Sequence, residues 1–364
     1  MTNADTSTQI IDLSNKLISV RSTADNPNEM NKVLEISKKA LGKDFYIEEF
    51  EKNKILSLLI RNTIKRPKKF RIILNAHLDV VPGNDIQFSP YIKKGRIYGR
   101  GAYDMKAAAA AMILLYKNIA KELNYPIGLQ LTTDEETGGM NGTKHQIDKG
   151  VRADFVITGE GTNLRTIHQS KGMLMLKLTA SGKTSHSAYP WLGENAIIKL
   201  NKAINDILNI YPLPLEETHE TTVTVTHIGT RSSSEHTVTP DHCEALLDIR
   251  FVPKDRHTII PSLQSLISKD IKAEIMHASP VHNTQSNNEY IKLLEHASHH
   301  AVGHKIILAN AHGTSDVRHF AEVDCDGVEF GPIGGGHHYQ DEWVDTESLG
   351  KYYQIMKEFL LNLN

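Results

Sequence analysis

Cysteine is nearly absent: Cys243 and Cys325 are the only two in 364 residues. That is too few for a disulfide framework and the wrong spacing for a thiolate metal site, so a reducing compartment is expected. Long apolar runs are missing too, and the polar start, Met1 to Gln9, lacks the basic and apolar regions of a signal peptide. The expectation is a cytoplasmic protein with no membrane partner. Neither sign of charge dominates, since the formal net charge is −2. The one basic cluster, Lys65 to Arg71, reads as a solvated turn, so a nucleic-acid partner is not expected. Internal repeats are absent, and the alanine run Ala107 to Ala111 is ordinary helix.

What is present suits a globular enzyme, with 40% apolar and 23% charged residues. The length exceeds one hydrophobic core and predicts two domains. Histidine, at 19 residues, raises the prospect of metal or proton chemistry without locating it.

Ile10, Ile11, Leu13, Leu17 and Ile18 share one helical face, so an amphipathic helix opens the fold. Strand patterns follow at 55–60 and 71–78, a helix at 105–123, and further strands at 127–133 and 154–158. Strands alternating with helices predict an α/β fold, with a mixed, mainly parallel sheet sandwiched by helices. From Met173 the texture changes to strands at 173–180, 221–228 and 243–252, with helices near 195–210 and 257–268. A helix at 290–302, a strand at 305–309 and a helix after Asp345 resume the first style. The expected domains are therefore 1–172 with 282–364, and an inserted α+β unit at 173–281.

In open α/β sheets, ligands bind beyond the carboxyl ends of the strands. His77, Asp79, Glu135, Glu136 and Glu160 each stand where a predicted strand stops. Alternation puts His77 and Asp79 on one side, with Asp79 placed to orient a ligating imidazole. Asp104 follows Gly99-Arg100-Gly101 at the head of the alanine-rich helix, where it could cap the helix, ligate a metal, or do both. Asp134-Glu135-Glu136 sets three acids in a row, which repel one another unless a cation compensates; the plainer alternative is a solvated acidic loop. Glu160 lies between Gly159 and Gly161, and His337-His338 follows three glycines and precedes Asp341 and Glu342. Two imidazoles and three carboxylates without a thiolate are the donors preferred by zinc, cobalt or manganese. Two such ions sharing Asp104 would activate water and polarise a carbonyl together.

These motifs resemble the dinuclear zinc hydrolases that include acetylornithine deacetylase, succinyl-diaminopimelate desuccinylase, aminoacylase and glutamate carboxypeptidase. The carriers are His77-Leu78-Asp79, Gly99-Arg100-Gly101-Ala102-Tyr103-Asp104-Met105-Lys106, Asp134-Glu135-Glu136-Thr137-Gly138, Gly159-Glu160, and His338 four residues before Glu342. The resemblance implies one metal on His77, Asp104 and Glu160, and a second on Asp104, Glu136 and His338, with His337 as the substitute. It implies Glu135 as general base, Asp79 in support, and a metal-activated bridging water as the attacking group. The inserted unit resembles a lid and dimerisation module. There the counterpart of His186 stabilises the oxyanion in the partner subunit of a homodimer, and Arg250 either salt-bridges within the lid or binds a substrate carboxylate. Gly313, Thr314 and Ser315 match a substrate-side loop. His312, where relatives often have glycine, and His236, where many have asparagine, depart from the pattern.

The expected activity is hydrolysis of the amide bond of an N-acyl amino acid. A di- or tripeptidase or carboxypeptidase of the same family is the alternative substrate class. A non-catalytic homologue that binds metal or ligand is the alternative of another kind.

Overall fold

The computed structural model describes residues 3–230 and 236–363. Met1 and Thr2 of the polar start, and residues 231–235 of the inserted segment, lie outside the described residues. The chain divides into two compact units, one of 1–168, 283–309 and 315–364, the other of 169–282 and 310–314. The short piece 310–314 groups with the second unit, whereas chain order alone placed it with the catalytic segment.

At the centre of the first unit, the strand Phe70–His77 pairs in parallel with Ile127–Thr132 on one side and Ala153–Thr158 on the other. Asp326–Glu329 continues the parallel run, while Ile55–Arg61 and Tyr46–Lys52 close the opposite edge antiparallel. Aliphatic residues dominate the central strands because both of their faces are covered. One face meets the helices Asn3–Ile18, Pro27–Leu41, Lys106–Ile119, Glu289–Val302 and Thr346–Leu361 in the larger core. The other meets Thr143–Asp148 and Val317–Ala321 through Ile147 and Phe320. The alanine run 107–111 is buried throughout. Its small side chains let that helix approach its neighbours on every side, which larger residues would prevent.

Sequence pattern missed a small antiparallel sheet of Tyr91–Lys93, Arg96–Tyr98, Trp343–Asp345 and Gly334–Gly335. Strands of two or three residues carry too little periodicity to be seen. It fastens both ends of the loop that bears His337 and His338.

The second unit holds a four-stranded antiparallel sheet in the order Thr222–Gly229, His242–Phe251, Gly172–Ser181, Ile271–Ser279. Along His242–Phe251 every second residue is buried, the signature of a sheet with one covered face. That face packs on Ala196–Ile210 and Ile259–Leu266 through Leu200, Ile207 and Leu263. The Asn195 side chain caps the first of these helices by accepting from the backbone N–H of Ile197 and Ile198. Cys243 and Cys325 are both free and buried.

Lys106 is fully buried at the head of its helix, where Nζ donates to the Val20 carbonyl at 2.7 Å. Burial lowers its pKa from 10.5 to about 7 against the pull of Asp79 and Glu342. Below the folded value the ammonium is protonated in both states and its burial penalty is fully present. As pH rises from 7 towards 10.5 the folded chain releases the proton first, so this residue's contribution to stability improves. Relative to Lys106→Met, the wild type is expected to gain about 2 kcal/mol between pH 7 and 9, read by urea unfolding. A gap that does not change with pH would contradict the buried amine.

Candidate active site

The polar residues collect where the three central parallel strands end. In-register pairing of His77 with Thr132, and of Asn75 with Thr158, brings those ends level. His77 closes its strand, Asp134 leads into the short turn Glu135–Thr137, and Glu160 follows Ala153–Thr158 by two residues. A side chain on Gly331 would overlap the Glu160 carbonyl oxygen, so glycine there is what lets the Glu160 loop lie against its neighbour.

Asp104 is the hub. Its Oδ1 lies 2.9 Å from His77 Nε2, and its Oδ2 lies 3.0 Å from His338 Nε2 and 2.9 Å from His337 Nε2. Glu160 Oε1 approaches His77 Nε2 to 3.7 Å, and Glu136 Oε2 approaches His338 Nε2 to 3.2 Å. Met105, not Asp104, takes the cap position of the following helix, which leaves the Asp104 carboxylate to face the imidazoles. Asp79 accepts from the backbone N–H of Glu135 at 3.2 Å and of Glu136 at 3.0 Å, and its Oδ1 lies 3.5 Å from His77 Nδ1. Asp79 thus orients two glutamates through its carboxylate and the imidazole through its backbone carbonyl, which lies 3.1 Å from His77 Nδ1.

Burial alone would raise the Asp104 carboxyl, but hydrogen bonds with His337, His338 and His77 hold it well below the usual carboxylate range. Burial, then repulsion from Asp316, pushes Glu135 well above it. Burial also raises Glu160, and lifts Glu329 to about 8 with Glu160 as the next contributor. Asp104 and then Glu136 push His338 up to about 10. Glu160 Oε1 is buried without a hydrogen-bond partner. A buried oxygen with no hydrogen-bond donor, among acids that resist ionising together, fits a site built for a cation. The sets His77, Asp104, Glu160 and Asp104, His337, His338 each place donor atoms within 4.8 Å of one another. These nitrogen and oxygen donors fit divalent ions of borderline softness.

Residues 73–362 match the model of the Peptidase family M20/M25/M40. The chain belongs to this family. It is a metal-dependent hydrolase of amide bonds, with homologues named as desuccinylases. The succinyl-diaminopimelate desuccinylase of Pelagibacter ubique is 31% identical, over 79% of this chain and 81% of that protein. Its namesake from Hydrogenovibrio crunogenus is 28% identical over 98% of this chain and 99% of its own length. In fold, the chain is similar to aminopeptidase PepT of Bacillus cereus, with a TM-score of 0.78, 19% identity, and coverage of 97% and 98%. A dinuclear metal-binding M20 peptidase of Bacillus subtilis gives 0.69, 14% identity, and coverage of 99% and 98%.

Within this M20-family site, Glu342 has the supporting place beside the histidine ligand that its position after His337-His338 suggests. Glu342 is 1% exposed, and its carboxylate accepts from Arg100 Nη1 at 2.7 Å and from the backbone N–H of Gly101, Tyr103 and Asp104 at 3.0, 2.9 and 3.1 Å. It thereby ties the histidine loop to the Asp104 turn. Arg318 was not singled out by sequence; its Nη1 lies 3.1 Å from Glu135 Oε1, and its Nη2 donates to the Gly138 carbonyl at 2.9 Å. Ser315 Oγ donates to Glu329 Oε1 at 2.7 Å.

His186, Arg250, Gly313 and Thr314 lie in the second unit. The Ala188 N–H donates to His186 Nδ1 at 3.1 Å, which puts the proton of the neutral ring on Nε2. Arg250 makes a two-pronged bond to Asp248, at 2.7 and 3.0 Å, the salt bridge that was one of its two expected roles.

Glu342→Gln would turn an amide nitrogen towards groups that only donate. The expected outcome is a 10–100-fold loss of metal affinity, typical of disturbing the groups that orient ligands, measured by metal titration of the apoprotein. Unchanged affinity would mean that the carboxylate does not position the site.

Proposed function

We propose that the chain removes an acyl group, of the succinyl kind, from the nitrogen of an amino acid. The observation that carries the amide-hydrolysing part of this reading is the Asp104 hub: two carboxylate–imidazole sets share it, and Glu135, a second acid on the same turn as Glu136, belongs to neither. His77, Asp104 and Glu160 would hold one ion; Asp104, Glu136 and His338 would hold the other. The added contact of His338 with Glu136 favours it over His337. The donor set suits Zn, with Co or Mn as substitutes. When bound, such a pair polarises the substrate carbonyl and makes water acidic enough to attack at neutral pH.

Glu135 takes the proton from the attacking water and returns it to the leaving nitrogen. Its raised affinity for protons suits both directions, and Arg318 limits the rise while steadying the side chain. Asp79 keeps Glu135, Glu136 and His77 in mutual register. His186, with its Nε2–H, would stabilise the developing oxyanion, supplied by the partner subunit of a homodimer. Arg250, Gly313 and Thr314 would meet the polar end of the substrate, while Ser315 acts through Glu329. Among the described residues no helix is long and apolar enough to cross a membrane, and the free, buried cysteines support a cytoplasmic setting.

The names of the relatives similar in sequence support desuccinylation, whereas the peptidases are similar in fold. Glu135→Gln is expected to retain its metal while kcat falls by about 10²–10⁴-fold, and near-wild-type turnover would remove the base from Glu135. With the metal-loaded enzyme, N-succinyl amino acids should give a higher kcat/KM than N-acetyl amino acids, dipeptides or tripeptides. A preference for peptides would assign the chain to the peptidase branch instead.

A further inference from the structure

One cluster of metal-ligating side chains takes no part in this chemistry. Glu217 and His219 lie between the helix Ala196–Ile210 and the strand Thr222–Gly229, and His312 directly follows the strand Leu308–Ala311. All three belong to the second unit. His312 Nε2 is 3.0 Å from Glu217 Oε1. The His219 and His312 rings lie parallel, with planes 2° apart and centroids 4.6 Å apart. One donor atom from each of the three residues lies within 4.8 Å of the others.

We propose that Glu217, His219 and His312 form a further divalent-cation site, of the Zn²⁺, Ni²⁺ and Cu²⁺ class, on the second unit. Two imidazoles and a carboxylate form a three-ligand set that zinc accepts, with water completing its tetrahedron. Donors around one tetrahedral zinc stand roughly 3.4 Å apart, given Zn–N distances near 2.1 Å. The His312 and Glu217 side chains are 44% and 79% exposed, which leaves room for the rotations that this spacing requires. Imidazole nitrogens disfavour Mg²⁺ and Ca²⁺, which prefer oxygen.

The location gives the site a consequence. Glu217 and His312 line a cavity of about 290 Å³ together with Lys171, Glu216, Thr218 and Arg250. A cation bound there would clip residues 310–314 to the 217–219 segment at the edge of that cavity.

Equilibrium dialysis of the metal-stripped full chain against tens of micromolar Zn²⁺ tests this directly. The wild type should hold one equivalent more than the His219→Ala, His312→Ala double variant, with both proteins melting at the same temperature when stripped of metal. Zn²⁺ should also protect His219 and His312 of the wild type from diethyl pyrocarbonate, read peptide by peptide by mass spectrometry. Equal stoichiometry, or equal modification of both histidines with and without Zn²⁺, overturns the proposal. Loss of the catalytic reading would leave this result untouched, because neither measurement follows turnover.

Discussion

More negative charge converges at the strand ends than the protein balances by itself. Asp104, Glu136 and Glu160 meet around two imidazoles, and Glu135 stands beside them. Arg318 answers Glu135 and Arg100 answers Glu342, but Glu160 Oε1 is left buried without a donor. Carboxylates held this close cannot all ionise unless a cation or a proton joins them. The pull of these carboxylates shows on the imidazoles: Glu160 and Asp104 raise His77 against its burial, and Asp104 and Glu136 raise His338. The sheet register, the Gly331 contact and the Glu342 bonds all hold this unfavourable arrangement in place. Rigidity is therefore a condition of the site: acids free to move would separate into solvent.

That rigidity explains what sequence could and could not reveal. The acids at strand ends were legible because strand period and chain order are local properties, and the parallel sheet follows from alternation of strands with helices. The bonds that freeze the acids were not. Glu342 and Asp104 are 238 residues apart, and Arg318 and Glu135 are 183 apart, so no local pattern announces either pair. The helix Pro27–Leu41 and the edge strand Tyr46–Lys52 were also passed over. The first has proline in its opening turn, where it is tolerated but reads as a break; the second is an edge strand of mostly polar residues with a weak alternation. Asp104 could be read as a helix cap until Met105 was seen to take that place.

Relatives similar in sequence and structures similar in fold answer different questions. At 19% identity, likeness to an aminopeptidase speaks for the scaffold and not for its substrate. The reacting bond is the same amide in an N-succinyl amino acid and in a peptide, so Asp104, Glu135 and their neighbours have no means to tell the two apart. Discrimination has to come from groups that meet the far end of the substrate. That end is a carboxylate in a succinyl group and an ammonium in a dipeptide, opposite charges that reward opposite surroundings.

The second unit offers both kinds of group around one cavity. Lys171 and Arg250 stand on one account, Glu216 and Glu217 on the other. Lys171 already donates to the carbonyls of Thr218 and Glu220 at 3.0 and 2.7 Å, and Arg250 is paired with Asp248. A carboxylate arriving at Arg250 would have to compete with Asp248 or share its guanidinium, whose five N–H donors permit sharing. An ammonium would instead require Glu216 or Glu217, and Glu217 is already drawn to His312. Sharing a guanidinium breaks no existing bond, whereas taking Glu217 from His312 does. The arrangement of charges around this cavity of the second unit thus leans towards an anionic ligand.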